Sequence, residues 1–403
     1  MEGAAPSAPG PDGVGEIAFG TVPPSISSRL SSAILSAAMR TEGPQGRRQD
    51  EAPRSSSVSA LGSHATAESP TDLAGQYRDK RVFITGGLGF LGSTLAHRLV
   101  SYGAHVSLID SLNPLYGGNR YNLDGLDGRL ETVVGDARDI ATIRPYLSQA
   151  DFVFHLAAQV SYIDSINMPL EDLQVNAALT LQLLEECRQR HVKPRFVFAS
   201  SRMVLGRVDA PCPDEEQPAK PLTLYGVHKL ASERYLSIYH QNFGIPTLTL
   251  RITNPYGPRQ QIHHNKYCMV GWFVRQALEG CTIRVFGDGA QRRDYIYIDD
   301  LAEAFLRCAV ADGAAGEVVN VGSGVGTRFC DMVTTVVDVV GRGGMEFVPW
   351  PADYERVETG DFVADLTKLE RLTSWRSRVD LRTGIERTVE YYRRTWNEYV
   401  RDR

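Results

Sequence analysis

Cysteine is scarce and scattered in this chain: its 403 residues carry six, Cys187, Cys212, Cys268, Cys281, Cys308 and Cys330. No two of them form a C-x-x-C pair, and no histidines cluster at metal-ligand spacing. Neither a disulfide framework nor a structural zinc is expected, no metal is assigned, and reduced thiols fit a cytoplasmic setting. An excess of one charge is also lacking, since 43 Lys and Arg face 48 Asp and Glu for a net charge of −5. That balance gives no reason to expect nucleic acid or an anionic membrane as partner, and an anionic substrate would need a local basic grip. No apolar run reaches the length of a membrane span, none near the N-terminus has the form of a secretory signal, and no internal repeat is present.

Residues 1 to about 75 have little sustained apolar pattern and much Ala, Ser, Pro and Gly. They read as a disordered extension, because such a segment cannot bury enough surface to offset its ordering entropy. Ile26 to Met39 could form a short amphipathic helix, and the Ser, Ala and Arg content is faintly that of a transit peptide. Glu2, Asp12, Glu16 and the prolines argue against the latter. An upstream misassigned start, with Met39 as an internal candidate, is a further option.

What is abundant is glycine at one place, Gly86-Gly87-Leu88-Gly89-Phe90-Leu91-Gly92. The apolar run Val82 to Ile84 enters it, and Leu91, Leu95, Ala96, Leu99 and Val100 follow at helical spacing. A strand, a tight turn and a helix opening on that turn form a site for a dinucleotide pyrophosphate. Glycines let the backbone approach the phosphates, and the free N–H groups of the helix N-terminus face the negative charge. Both Gly87-x-Gly89-x-x-Gly92 and Gly86-x-x-Gly89-x-x-Gly92 can be read. Alone, the stretch is equally a tight βα loop.

Apolar strands then alternate with helical patterns: Arg81 to Thr85, His105 to Asp110, Leu130 to Gly135, Asp151 to Ala157, Arg195 to Ser200 and Thr247 to Thr253. This predicts an α/β fold with a doubly wound, mainly parallel Rossmann sheet over 76–254, and ligands outside the carboxyl ends of its strands. Gly86, Asp110, Asp136, Ala157 and Ser201 fall at or just beyond such ends. A carboxylate at Asp110 can accept hydrogen bonds from both adenine ribose hydroxyls and repel a 2′-phosphate, which favours NAD over NADP. Asp136 could meet the adenine amino group or cap the next helix. Past residue 254 the rhythm breaks into Tyr267 to Leu278, Thr282 to Phe286 and Tyr295 to Ile298. That predicts a smaller C-terminal α/β lobe over 255–403, mainly for substrate, with the cleft at its boundary.

Tyr225 and Lys229 lie one turn apart on one helix face. A lysine ammonium beside a phenol favours the phenolate, and a cationic nicotinamide nearby would add to this, turning a weak base into a useful one near neutral pH. Ser201, at the end of the fifth strand, can hydrogen-bond the same substrate hydroxyl; its plainer role is that of a turn serine.

From Arg81 to the C-terminus the chain resembles the extended short-chain dehydrogenase/reductases, specifically the NAD-dependent nucleotide-sugar epimerase/dehydratase family of UDP-glucose 4-epimerase type. The motifs are Thr85-Gly86-Gly87-Leu88-Gly89-Phe90-Leu91-Gly92, His155-Leu156-Ala157-Ala158-Gln159, Ala199-Ser200-Ser201, Tyr225-x-x-x-Lys229, Arg251 to Arg259 and Arg293 to Asp300. The resemblance implies a catalytic set of Ser201, Tyr225 and Lys229, with Lys229 also on the nicotinamide ribose. It implies an NAD site of Gly86, Gly89, Phe90, Leu91, Gly92, Asp110, Asp136, Ala137, Ala157, Ala158 and Asn176, shared with Tyr225 and Lys229. Asn254 is implied on the sugar nucleotide and Arg293 on the diphosphate, where an arginine fork suits the dianion; an ion pair of Arg293 with a nearby acid such as Asp294 is the plainer option. Arg356 and Asp361 resemble a late Arg…Gly-Asp element closing over diphosphate and ribose, at a longer separation than the commonest form. A homodimer through helices starting near Pro169 and Tyr225 is the family habit.

Family dehydratases usually carry Asp-Glu where this chain has Arg202-Met203, and decarboxylases a Glu at the second position. Neither Arg nor Met can act there as a general acid or base. Oxidation followed by return of the hydride remains, which suffices for an epimerase acting at C4 of a UDP-hexose through a 4-keto sugar. Leu205 replaces a common tyrosine and would alter pocket shape. The alternatives are a dehydratase or decarboxylase with acids elsewhere, a 4-keto reductase, and a non-catalytic dinucleotide sensor.

Overall fold

Six short apolar runs become strands: β1 Arg81–Thr85, β2 His105–Asp110, β3 Glu131–Val134, β4 Phe152–His155, β5 Arg195–Ser201 and β6 Thr247–Ile252. Past these the chain forms β7 Asn254–Tyr256, β8 Thr282–Phe286, β9 Arg292–Tyr297, β10 Val318–Val321, β11 Gly326–Arg328 and β12 Gly344–Val348. The computed structural model describes residues 72–113, 116–210 and 212–400. The expectations for the N-terminal extension lie outside these residues, except at its end. There Leu73–Tyr77 is helical, and the Tyr77 hydroxyl donates to the Leu306 carbonyl oxygen at 2.8 Å.

The main sheet is parallel, in the order β10-β6-β5-β4-β1-β2-β3. Both of its faces are covered, so the strands read as continuous apolar runs rather than as alternation. The period of two still sorts the side chains between two cores. Val82, Ile84, Phe154 and Val197 pack with Leu95, Leu99 and Phe305 on one face, while Phe83, Val153, Phe196 and Phe198 pack with Leu183 and Leu236 on the other. Each such fully buried side chain contributes about 1.5–3 kcal/mol.

The chain leaves β1 towards β2 and β3, then crosses back to β4, β5 and β6. The switch point between β1 and β4 opens a crevice at their carboxyl ends, where an open α/β sheet takes its ligand. β10, from the stretch expected in the smaller lobe, pairs with β6 in the main sheet, so a cut after residue 254 does not part the strands by sheet. The remaining strands form the mixed sheet β11-β9-β7 and the parallel pair β12-β8. Among the described residues no helix is long and apolar enough to cross a membrane.

Candidate active site

A cleft of about 710 Å³ runs along the carboxyl ends of β1, β2, β4 and β5 and is also lined by later residues, among them Asn254, Arg293, Tyr295 and Glu358. The glycine turn forms one end. Gly86 has φ +74°, and a Cβ there would lie 2.9 Å from the Ala157 nitrogen. A Cβ on Gly92 would fall well inside contact distance of the Gly86 carbonyl oxygen and 2.9 Å from Gly87 Cα. Gly89 caps the helix Phe90–Ser101 without any side chain on its free amides. The amides of Gly86, Gly87 and Gly89 are bonded to backbone carbonyls, while the first turn of the helix at Phe90 and Leu91 carries no side-chain cap, which suits a pyrophosphate.

Gly86, Gly89, Phe90, Leu91, Gly92, Asp110, Asp136, Ala137, Ala157 and Ala158 all line this cleft. Asp110 accepts the Leu88 amide at 3.0 Å and the Leu112 amide at 2.8 Å, while burial raises its pKa. Asp136 does not cap the next helix; Asp139 does, and Asp136 instead binds Arg138 at 2.6 Å. Asn176 lies outside the lining. It is buried in a π-turn, Gln174–Ala178, where its Nδ2 donates to the Gln159 carbonyl at 2.8 Å and to Asp172 at 3.1 Å. His155 also works from below: its ring bonds Thr85 Oγ1 and Thr180 Oγ1, and burial holds it neutral by lowering its pKa to about 3. Thr85 Oγ1 in turn accepts the Leu156 and Ala157 amides.

Ser201, Tyr225 and Lys229 meet in the middle of the cleft. The helix Leu224–Phe243 starts at Thr223, whose hydroxyl accepts the Gly226 amide at 3.1 Å. Its tight seat on the turn after β5 leaves no room for a Cβ at Gly226, 2.6 Å from the Met203 carbonyl oxygen. Lys229 Nζ donates to the Ala199 carbonyl at 3.1 Å and stands 5.9 Å from the Tyr225 ring centroid. Burial pulls the Lys229 pKa down to about 8 against the opposing charges of Asp172 and Glu233. Burial also pushes the Tyr225 phenol above its ordinary value, with Ser201 hydrogen bonding pulling the other way. The lowered phenol pKa expected from Lys229 is thus absent in the protein alone, because desolvation of both groups dominates.

The substrate side departs more from expectation. Asn254 and Arg293 line the cleft; Arg356 and Asp361 do not. Arg356 is an exposed side chain near Asp353, at 3.5 Å, and Asp361 accepts the Arg292 amide at 2.7 Å, tying its loop to β9. Arg293 pairs with Glu358, not with Asp294, and donates to the Gly360 carbonyl at 2.6 Å. Asp294 accepts the Ser323 amide and hydroxyl at 2.7 Å each. Sequence reasoning missed Glu358 and Thr359, which come from a loop distant in the chain, and the aromatic group Phe286, Trp350 and Tyr354, with centroids 5.6 and 5.5 Å from Phe286. No local pattern marks either set. Thr253 Oγ1, Asn254 Oδ1 and the Tyr295 hydroxyl are buried on this wall with no hydrogen-bond partner among the described residues.

Residues 82–322 match the model of the NAD dependent epimerase/dehydratase family. The chain belongs to that family. Its cofactor is NAD. The UDP-glucose 4-epimerase of Mycolicibacterium smegmatis is 32% identical over 78% of this chain and 98% of its own. Among solved structures, the UDP-glucose 4-epimerase of Thermotoga maritima with UDP-glucose has TM-score 0.70 at 30% identity, over 78% of this chain and 99% of that one. The dTDP-glucose 4,6-dehydratase of Streptomyces venezuelae, solved with NAD bound, has TM-score 0.72 at 28% identity, over 79% and 99%. Epimerases and dehydratases of this family therefore share this scaffold, and the chemistry is decided by side chains within it.

Proposed function

We propose that this epimerase/dehydratase family member is a nucleotide-sugar 4-epimerase, with a UDP-hexose as the substrate class. The observation that carries this reading is the cleft floor, where Ser201, Tyr225 and Lys229 converge while Arg202 and Met203 stand beside them in place of acids. Glu358 lines the same cleft but is bonded to Arg293, which leaves it poorly suited to elimination chemistry.

The glycine cradle, Asp110, Ala157 and Lys229 would hold NAD, with Asn176 supporting the Gln159 loop from beneath. When bound, NAD supplies a reversible acceptor for the hydride at the sugar carbon. Tyr225 takes the proton from the C4 hydroxyl and later returns it, Ser201 orients that hydroxyl, and the charge on Lys229 favours the phenolate. The unpaired Thr253, Asn254 and Tyr295 groups suit sugar or phosphate oxygens, Arg293 suits the diphosphate, and the Phe286, Trp350 and Tyr354 faces suit a base. Exposed Leu170, on the helix Pro169–Leu173, and Val227 and Ile238, on the helix Leu224–Phe243, support a homodimer through these helices.

The test is incubation of the purified protein, without added cofactor, with UDP-, dTDP-, GDP- and CDP-sugars, read by product mass and proton NMR. Unchanged mass with new sugar resonances is the expected result, and Tyr225→Phe should lower the rate about 10²–10⁴-fold while NAD stays bound. Loss of water or carbon dioxide would overturn the epimerase reading. Wild-type turnover in Tyr225→Phe would remove Tyr225 from the chemistry.

A further inference from the structure

Two guanidinium groups are buried in the lining of the cleft, and they are satisfied differently. Arg293 is held by Glu358 and by the Gly360 and Arg292 carbonyl oxygens. Arg202 stands on the turn that begins directly after Ser201. It donates from Nη1 to Thr359 Oγ1 at 2.8 Å and lies over the Phe362 ring, 5.4 Å from its centroid. It is 9% exposed, and among the described residues no carboxylate comes within ion-pair distance of it. The acidic side chain that acts on it, Glu358, is already bonded to Arg293. Burial and the neighbouring Arg293 charge lower its pKa only to about 10, so it is a cation at neutral pH.

A buried cation whose only close partners are a hydroxyl and a ring is unfavourable unless an anion completes it. Arg202 lines the cleft, so that anion can come from the ligand. We infer that Arg202 receives a carboxylate carried by the sugar itself, and that the preferred substrate is a nucleotide hexuronic acid. This rests on the proposed reading in which Ser201 and Tyr225 face the C4 hydroxyl. In a pyranose, the C5 carbon that bears the carboxylate is bonded to C4, whereas the diphosphate sits on C1 across the ring. Arg202 follows Ser201 directly and lines the same cleft, and its proposed partner is the C5 substituent, which in a hexuronate is the anionic neighbour of C4. The planar guanidinium fork matches a carboxylate with two parallel hydrogen bonds.

The diphosphate is the other oxyanion of such a substrate, and the two can be told apart. Titration calorimetry of the NAD-loaded protein with UDP, UDP-glucose and UDP-glucuronate should show the hexuronate bound about ten-fold or more tighter than the neutral hexose. Arg202→Met should abolish that preference while leaving UDP and UDP-glucose within about two-fold of wild type, and Arg202→Lys should keep part of it. Equal losses on all three ligands would make Arg202 a diphosphate ligand and overturn the inference. So would a wild-type protein that favours UDP-glucose, even if it epimerises UDP-glucose well and the functional reading stands. Conversely, an Arg202-dependent preference for the hexuronate, with a product lighter by carbon dioxide, would uphold the carboxylate contact and defeat the epimerase reading.

Discussion

The two walls of the cleft are built on opposite plans. The cofactor wall is mostly backbone: the Gly86 to Gly92 turn, the open N-terminus at Gly89, and Ala157 held by amides bonded to Thr85. Its few charges, at Asp110 and Asp136, are already bonded to amides or to Arg138. The substrate wall is side chains from separated segments, with Arg202, Asn254, Arg293, Tyr295 and Glu358 brought together only by packing. Arg251, one strand away, shows what a finished buried guanidinium looks like. It meets Glu233 at 3.0 and 2.8 Å, and Glu233 also takes the Ser200 hydroxyl at 2.6 Å. Arg202 has no such acid. Arg251 is closed within the fold, whereas Arg202 lines the cleft with a hydroxyl as its hydrogen-bond partner.

The sharpest way to break the cofactor wall is Gly92→Ala. The new methyl group meets backbone rather than a yielding side chain, so a loss of about 3 kcal/mol in stability is expected. Purified protein should also carry little NAD. Calorimetric melting and the NAD content of the denatured protein measure both, and a stable, fully loaded variant would show that the turn is not the cradle.

Lys229 sits between the walls and costs stability for its position. Its folded pKa, about 8, is below its ordinary 10.5, so the penalty is fully present below pH 8 and disappears as pH rises through the unfolded value. Lys229→Met should therefore stabilise the protein at pH 7 by on the order of 2 kcal/mol, with the gain shrinking between pH 8 and 10.5. Denaturant melts across that range check the sign. A gain that does not change with pH would mean packing, not charge, is responsible.

The smallest effect is expected on the substrate wall. Glu358→Gln frees Arg293 from its pairing, so UDP affinity should rise a few-fold, about 0.5–1 kcal/mol. Unchanged affinity in calorimetry would mean that the diphosphate does not compete with Glu358 for this guanidinium.

Legibility in the sequence follows the same division. The parallel sheet, the glycine turn, Asp110 and the Tyr225–Lys229 pair are local patterns of strand period, turn chemistry and helical spacing, and each is where its pattern puts it. The partner of Arg293 was not readable, because Glu358 is far along the chain and Asp294, adjacent in sequence, points instead to Ser323. Arg356 resembled a ligand by motif alone, yet it lies outside the cleft on a short helix, Ala352–Arg356.

The sequence by itself determined the order of strands and helices along the chain, the glycine turn and the spacing of tyrosine and lysine, since these are local patterns. The seat of Gly86 against Ala157 is instead a tertiary contact. Only the tertiary structure decided which charges are neutralised and which are left facing the cleft. That depends on which distant side chain arrives within hydrogen-bond reach: Glu233 reaches Arg251, Glu358 reaches Arg293, and Arg202 is left with Thr359.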